Sequence, residues 1–195
     1  LDLYFAHRDD GATPLEETLA AFDTLIREGK VRYIGASNFS AWRVSEARCF
    51  SAANGWEAYC CLQQRYSYLR PKPGAMFSAP APMGAEHEEL CRVRQIPVLA
   101  YSALIKGGYT RQDKDLRHQY VWADSDARLR ALRGVAAEVE GATINKIVMA
   151  WLMRRSFPCI PLIGCSNPGQ LAENLGALEV ELSDEQVRRM DEAGV

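Results

Sequence analysis

The run Gly29-Lys-Val-Arg-Tyr-Ile-Gly-Ala-Ser-Asn-Phe39 decides the fold class of this 195-residue chain. Its apolar part, Val31–Ile34, predicts a short strand that follows a helix-ending glycine. A hydroxyl (Ser37) and an amide (Asn38) stand at the end of this strand, and Ser40 then begins a helix. Parallel α/β proteins place ligand-contacting groups at the carboxyl ends of their strands. The run therefore predicts an α/β protein with part of its site near residues 35–39.

The alternation of strand and helix continues along the chain. We predict strands at residues 1–7, 31–34, 59–62, 96–100 and 159–163, with helices between them and extra helices late in the chain. The predicted helix caps are Thr13, Ser40, Thr143 and Ser183. This order indicates a parallel sheet with right-handed crossovers.

The number of units falls short of a closed barrel. Alternation of this kind builds an eight-stranded (β/α)8 TIM barrel in about 250 residues. The chain opens on Leu1 without an initiator methionine, and its first strand has no partner ahead of it. We therefore expect residues 1–195 to form a single, incomplete barrel domain of about five C-terminal βα units, with roughly three front units missing.

Composition argues against several functional classes. Apolar residues make up 48% of the chain, charged residues 25%, and the net charge is −2. The sequence has no basic stripe, no polybasic run and no apolar run near the ~18 residues of a membrane span. We therefore expect neither nucleic acid nor membrane as a partner. With no signal peptide at the start, we expect a cytoplasmic location. The six cysteines show no metal-binding spacing, so we expect no metal and mostly buried free thiols, with a disulfide framework or metal site as the alternative.

Every predicted strand end carries a polar or aromatic side chain, and in a barrel these ends meet at one mouth. The set comprises His7, Ser37 with Asn38, Gln63, Tyr101 with Ser102, and Ser166 with Asn167. Asn38 and Gln63 can each donate and accept hydrogen bonds, as a carboxamide requires. Tyr101 offers a ring face for stacking, and the helix that begins at Pro168 presents free N–H groups to a phosphate. The set suits a flat, amide-bearing heteroaromatic ligand.

Five segments in order make the chain resemble the C-terminal part of an aldo-keto reductase. They are Leu3–Arg8, Gly29–Phe39, Leu62–Tyr66, Leu99–Leu104 and Ile163–Asn174. The resemblance implies a (β/α)8-barrel oxidoreductase that, in its intact form, reduces aldehydes or ketones to alcohols with NAD(P)H. It implies a small-molecule carbonyl substrate and NADP as the cofactor, with NAD possible. It leaves the oligomeric state open.

The resemblance also implies roles for individual residues. His7 matches the active-site histidine that orients the substrate carbonyl. Ser37, Asn38 and Gln63 match the residues that bind the nicotinamide carboxamide, and Tyr101 matches the ring that stacks on the nicotinamide. The remaining cofactor-binding residues are Ser102, Leu104 and Lys106 on the pyrophosphate side, and Cys165, Ser166, Gln170, Glu173 and Asn174 around the adenosine 2′-phosphate and adenine.

The chain departs from the family pattern in two ways. The family's catalytic tyrosine, lysine and aspartate lie on the first three βα units and have no counterpart here, and the tyrosine is the acid that protonates the carbonyl oxygen. We therefore expect the isolated chain to be inactive. A non-catalytic cofactor-binding regulatory subunit, resembling potassium-channel β subunits, stays open as the alternative. Gly164 and Gln170 stand where many members have basic residues, which weakens the preference for NADP over NAD.

Several of these residues have simpler explanations. Ser37 and Asn38 could cap the next helix, and Lys106 could be an ordinary solvated lysine. Gln63 competes with its neighbour Gln64, but the period-two alternation of the strand favours Gln63. We expect His87 and His118 at the surface, and Trp42, Trp56 and Trp151 in the core.

Overall fold

The structure is a computed structural model that describes residues 1–77, 82–110 and 116–194. Within them the strands are β1 (Leu3–Ala6), β2 (Tyr33–Ser37), β3 (Leu62–Arg65), β4 (Val98–Tyr101) and β5 (Cys159–Pro161). They form a sheet in the order β1-β2-β3-β4-β5. β2 pairs in parallel with β1 and with β3, and Ser37 lies opposite Gln63. The predicted α/β class with parallel strands is confirmed.

Helices separate the strands, as the sequence predicts. They are α1 (Leu15–Arg27), α2 (Ala41–Asn54), α3 (Ala85–Arg94), α4 (Ala123–Glu138), α5 (Ile144–Met153), α6 (Pro168–Leu175) and α7 (Asp184–Glu192). Short 3₁₀ turns lie at Ile105–Gly107, His118–Tyr120 and Gly176–Glu179. Across the described residues, none of the helices combines the length and the apolar character that crossing a membrane requires.

The chain divides into two compact units, which we describe separately. Unit 1 comprises Leu1–Arg65 and Phe77–Leu99, and unit 2 comprises Tyr66–Met76 and Ala100–Val195. The core of unit 1 contains the fully buried Leu19, Ile34 and Val44.

Gly35 in β2 has a specific packing role in unit 1. A Cβ at this position would lie 2.5 Å from Cε1 of Phe5 and 3.0 Å from Sγ of Cys61. Side chains from β1 and from the residue just before β3 therefore close over the backbone of β2, and only glycine leaves room for them.

Unit 2 is built around α5, whose residues 147–152 are all buried. The ring of Trp151 meets the edge of Tyr68 at a centroid distance of 5.1 Å. The guanidinium of Arg128 lies over the ring of Tyr68, 5.0 Å from its centroid. The same guanidinium pairs with the Asp124 carboxylate at 3.3 Å. Both charged groups of this pair are almost fully buried, and burial lowers the pKa of Arg128 because it disfavours the charged form.

Two of the four predicted helix caps make the expected hydrogen bond. Thr143 accepts from the Lys146 N–H, and Ser183 accepts from the Gln186 N–H. Ser40 occupies the cap position of α2 without such a bond. Thr13 does not cap α1: Pro14 takes that position, and the Thr13 hydroxyl donates to Asp10 at 2.7 Å.

Some of the predicted burial states are wrong. Trp42 is 63% exposed because the buried stripe of α2 passes through Ala41, Val44 and Ala47. Trp151 is buried as predicted, and Trp56 is half-buried. His118 is exposed, but His87 is buried, with 7% of its surface exposed. All six cysteines are free thiols, yet Cys49, Cys60 and Cys165 are exposed rather than buried.

Candidate functional site

The turn after β2 lies at the centre of the candidate site in unit 1. Asn38 has φ +58°, a left-handed conformation that asparagine tolerates better than most residues. Its side-chain Nδ2 donates to the main-chain oxygen of His7 and to Oγ of Ser37, each at 3.0 Å. These two bonds tie the carboxyl end of β1 to that of β2.

Gln63 joins this group from the neighbouring strand. It lies directly opposite Ser37 in the parallel ladder, and the Ser37 hydroxyl donates to its Oε1 at 3.5 Å. The main-chain N–H of Asn38 donates to the Gln63 main-chain oxygen at 3.2 Å. The structure therefore brings the three predicted carboxamide binders of unit 1 together, with the side chain of Gln63 half-buried.

Gln64 is buried, with 2% of its surface exposed, and supports the turn that carries Asn38. Its Oε1 accepts from the Asn38 N–H at 2.9 Å, and its Nε2 donates to the Phe39 oxygen at 3.2 Å. The same oxygen lies 2.9 Å from Nε2 of His87. The expectation that His87 lies at the surface is thus wrong, because this carbonyl group pairs with the ring inside the unit. One signal in the sequence is the spacing of His87 and Cys91, which places both on the buried face of α3.

The side chain of His7 is exposed, just beyond β1. Nearby in unit 1, Arg43 pairs with Asp9 at 3.0 Å and with Glu46 at 2.8 Å. Hydrogen bonds from Thr13 hold the pKa of the Asp10 carboxyl below its usual value. The segment after His7 is thus fixed by local polar contacts, while its imidazole is accessible to a ligand.

In unit 2, the candidate residues begin where β4 ends. Tyr101 closes the strand, and its main-chain oxygen accepts from the Tyr66 N–H at 3.2 Å. Ser102, Ile105 and Lys106 then all have positive φ, between 50° and 56°. Each such residue costs roughly 1 kcal/mol, and conformations of this kind cluster at ligand sites.

A cavity of about 500 Å³ in unit 2 collects most of the remaining predicted residues. Its lining includes Ser102, Leu104, Lys106, Ser166, Gln170, Glu173 and Asn174, but neither Tyr101 nor Cys165. Among the described lining residues, Lys106 is the only cation and Glu173 the only anion. The described part of the cavity wall is therefore close to neutral in total charge.

Side-chain hydrogen bonds shape the wall of this cavity at the start of α6. The Gln170 N–H donates to Oδ1 of Asn167 at 2.9 Å, and the Ser166 N–H donates to Oε1 of Gln170 at 2.8 Å. Nδ2 of Asn174 lies 3.3 Å from Sγ of Cys165. The Gln170 side chain thus makes a hydrogen bond within its own loop. Cys165 contacts the lining residue Asn174 without lining the cavity itself.

Asn145, on α5, is a lining residue that the sequence reasoning missed. Its Nδ2 donates to Oε1 of Glu173 at 3.4 Å, and Thr143 donates to the same oxygen at 2.8 Å. Oδ1 of Asn145 is buried without a hydrogen-bond partner among the described residues. Buried acceptors in folded proteins usually have a donor, so this oxygen is an exception among the described residues.

The described ranges contain no group of three or more histidine, cysteine, aspartate or glutamate side chains placed to hold a metal ion.

The comparisons with known proteins agree with one another. The sequence model of the Aldo/keto reductase family matches residues 1–195. The aldo-keto reductase yakc [NADP(+)] of Schizosaccharomyces pombe is 29% identical over 99% of this chain and 57% of its own length. A putative voltage-gated potassium channel subunit beta of the same organism is 26% identical over 98% of this chain and 58% of its own length.

Among solved structures, the thermostable aldo-keto reductase Tm1743 in complex with the inhibitor epalrestat matches with a TM-score of 0.71 at 28% identity. The match covers 98% of this chain and 59% of that chain. It confirms the predicted fold class, an α/β barrel present in part. The chain spans somewhat more than half the length of these relatives.

Proposed function

The chain belongs to the aldo/keto reductase family, and on that basis we propose that it supplies the cofactor site of an NAD(P)H-dependent reductase of aldehydes or ketones. The observation that carries this proposal is the group formed by Ser37, Asn38 and Gln63 at the carboxyl ends of β2 and β3. One hydroxyl and two amides offer both donors and acceptors, which match the C=O and NH₂ of a carboxamide.

Each unit, considered by itself, has residues that suit part of a nicotinamide cofactor. In unit 1, Ser37, Asn38 and Gln63 would hold the carboxamide. In unit 2, the cavity of about 500 Å³ would suit a phosphate-bearing ligand, with Lys106 beside the phosphates. The bound cofactor would supply the hydride.

The described residues would bind and orient the substrate rather than protonate it. The exposed imidazole of His7 would donate a hydrogen bond to the carbonyl oxygen and so fix the direction of the carbonyl. The family's proton donor is a tyrosine on a preceding βα unit, so we propose that the isolated 195-residue chain does not turn over. We propose NADP as the cofactor, with NAD possible, because the relative yakc of Schizosaccharomyces pombe is named for NADP(+).

A second candidate is a cofactor-binding regulatory subunit without turnover. The likeness to the potassium channel subunit beta over 98% of this chain favours it. The same carboxamide and phosphate groups would serve this role, so the two candidates share the binding site and differ in chemistry.

The test uses the protein as its gene encodes it. NADPH and NADH are titrated calorimetrically, and cofactor oxidation is followed in the presence of a panel of aldehydes and ketones. Binding with turnover supports the reductase, binding without turnover supports the regulatory subunit, and no binding refutes both. In either case, Gln63→Met should weaken binding by about tenfold because it removes the amide. The matched change Gln95→Met, on an exposed residue of unit 1, should leave binding unchanged.

A further inference from the structure

Gln64 and His87 form a buried polar pair in unit 1 to which the proposed function assigns no role. Nε2 of Gln64 lies 3.4 Å from Nε2 of His87, and both atoms face the main-chain oxygen of Phe39. Polar side chains buried to this degree are costly unless they make hydrogen bonds. Here their bonds are directed to the turn that follows β2.

The two side chains hold this turn at two main-chain groups. Gln64 accepts from the N–H of Asn38 and donates to the C=O of Phe39, so one amide bridges two successive residues. His87 adds a second donor to the Phe39 oxygen at 2.9 Å. This carbonyl lies before the first residue of α2, Ala41, and the two side chains therefore fill both of its acceptor positions.

The hydrogen bonds of His87 define its tautomer. The N–H of Gly84 donates to Nδ1 at 3.4 Å, so Nδ1 acts as the acceptor. Nε2 then carries the proton and donates it to Phe39. The ring thus links the start of α3 to the turn after β2.

The turn needs support because its central residue has an unfavourable backbone conformation. The backbone of Asn38 is left-handed at φ +58°. It must keep this conformation for the side chain to reach the His7 oxygen and the Ser37 hydroxyl. Strained residues persist where the surrounding structure holds them in place. The ring of Phe39 packs against Tyr59 at 5.7 Å, but this contact does not fix the peptide groups.

We propose that Gln64 and His87 are positioning residues that hold the Ser37–Asn38–Phe39 turn in the orientation that binds the nicotinamide carboxamide. The proposal rests on the proposed function, since it requires Ser37 and Asn38 to contact the nicotinamide. Neither residue touches the ligand: Gln64 acts through the N–H of Asn38, and His87 acts through the C=O of Phe39. Binding of the nicotinamide half of the cofactor should therefore depend on them, and binding of the other half should not.

The experiment compares two ligands in the protein as its gene encodes it. NADPH carries the nicotinamide, and 2′-phospho-ADP-ribose lacks it, and the affinity for each is measured by calorimetry. The variants are His87→Leu, which removes the donor, and His87→Gln, whose amide can restore it. Ser51→Ala is the matched control, because it removes a different buried hydrogen bond of unit 1, from the Ser51 hydroxyl to Glu57.

We expect His87→Leu to weaken NADPH binding by about tenfold, the usual effect of losing one buried hydrogen bond. The affinity for 2′-phospho-ADP-ribose should change by less than about twofold. His87→Gln should recover most of the NADPH affinity, and Ser51→Ala should leave both affinities unchanged. The positioning role would be overturned if His87→Leu weakened the binding of both ligands equally, or if His87→Gln recovered none of the NADPH affinity.

A separate measurement distinguishes this proposal from the proposed function. Hydrogen exchange at the Asn38 amide, followed by NMR without ligand, should be faster by about tenfold in Gln64→Leu than in the wild-type protein, because this N–H then loses the nearer of two acceptors and keeps the Gln63 oxygen at 3.2 Å. If the wild-type protein binds 2′-phospho-ADP-ribose and NADPH equally well, the nicotinamide contributes nothing and the proposed function fails. If the nicotinamide does contribute and exchange at Asn38 is unchanged in Gln64→Leu, the support of the turn by Gln64 and His87 fails by itself.

Discussion

Replacing Asn38 by alanine and by glycine separates the two properties that this residue brings to the site. Nδ2 makes two hydrogen bonds of 3.0 Å, to His7 and to Ser37, each stabilising the fold by about 1 kcal/mol. Both variants lose them, so both should lower the free energy of unfolding by about 2 kcal/mol. Glycine adopts a φ of +58° freely, whereas alanine pays about 1 kcal/mol more. Asn38→Ala should therefore cost about 3 kcal/mol and Asn38→Gly about 2 kcal/mol.

Urea unfolding of the wild-type protein and both variants measures these free energies directly. Asn54→Ala is a suitable control, because its amide makes one exposed hydrogen bond, to the Phe50 oxygen, at the end of α2. That change should cost less than about 1 kcal/mol. Equal destabilisation by Asn38→Ala and Asn38→Gly would refute the argument that a left-handed backbone conformation has to be held at this position.

Three substitutions and one labelling experiment test other parts of the structure. Gly35→Ala should lower the free energy of unfolding by about 1–3 kcal/mol because its Cβ would lie 2.5 Å from Phe5. Gly134→Ala, at an open position inside α4, should raise the free energy of unfolding by up to about 1 kcal/mol. Thermal melts in which Gly35→Ala and Gly134→Ala shift the Tm in the same direction would contradict these two predictions. Iodoacetamide at about pH 8 should label the exposed Cys49, Cys60 and Cys165. It should not label Cys61 or Cys91, because burial raises the pKa of each thiol to about 12, and mass spectrometry of the labelled protein checks both statements. Lys106→Gln should weaken NADPH binding and make the binding less dependent on salt, because Lys106 is the only cation among the described residues of the cavity wall. An unchanged salt dependence in calorimetry would contradict a contact between Lys106 and a phosphate.

The order of elements could be predicted from the sequence, but the bounds of the strands could not. The helices expected between the strands are present, with α3 at Ala85–Arg94 as an example, because an amphipathic helix is defined largely by its own sequence. The apolar runs 31–34 and 59–62 predicted strands that the structure places later, at Tyr33–Ser37 and Leu62–Arg65. Parallel pairing decides these bounds, since Ser37 and Gln63 form part of the ladder despite their polar side chains.

The candidate site was predictable only where a strand end or the family resemblance pointed to it. Those signals led to Ser37, Asn38 and Gln63, whose grouping the structure now shows. They did not lead to His87 or Asn145. His87 is buried because of a main-chain oxygen 48 residues earlier in the chain. The spacing of His87 and Cys91 places both on the buried face of α3, but it does not identify this oxygen, because the partner of a buried polar side chain can lie far away in the sequence.

The adjacent glutamines Gln63 and Gln64 illustrate why the site depends on exact strand register. Successive side chains of a strand point to opposite faces, so Gln63 lies beside the Ser37 hydroxyl while Gln64 supports the turn from the other face. A shift of one residue in the register of β3 would turn each glutamine to the opposite face of the sheet. Both amides would then be separated from their present partners. On the proposed function, a substitution at either position would weaken cofactor binding, although only Gln63 would contact the cofactor. A loss of binding in a Gln64 variant is therefore not evidence of contact, whereas hydrogen exchange at Asn38 without ligand reports the turn itself and separates support of the turn from contact with the ligand.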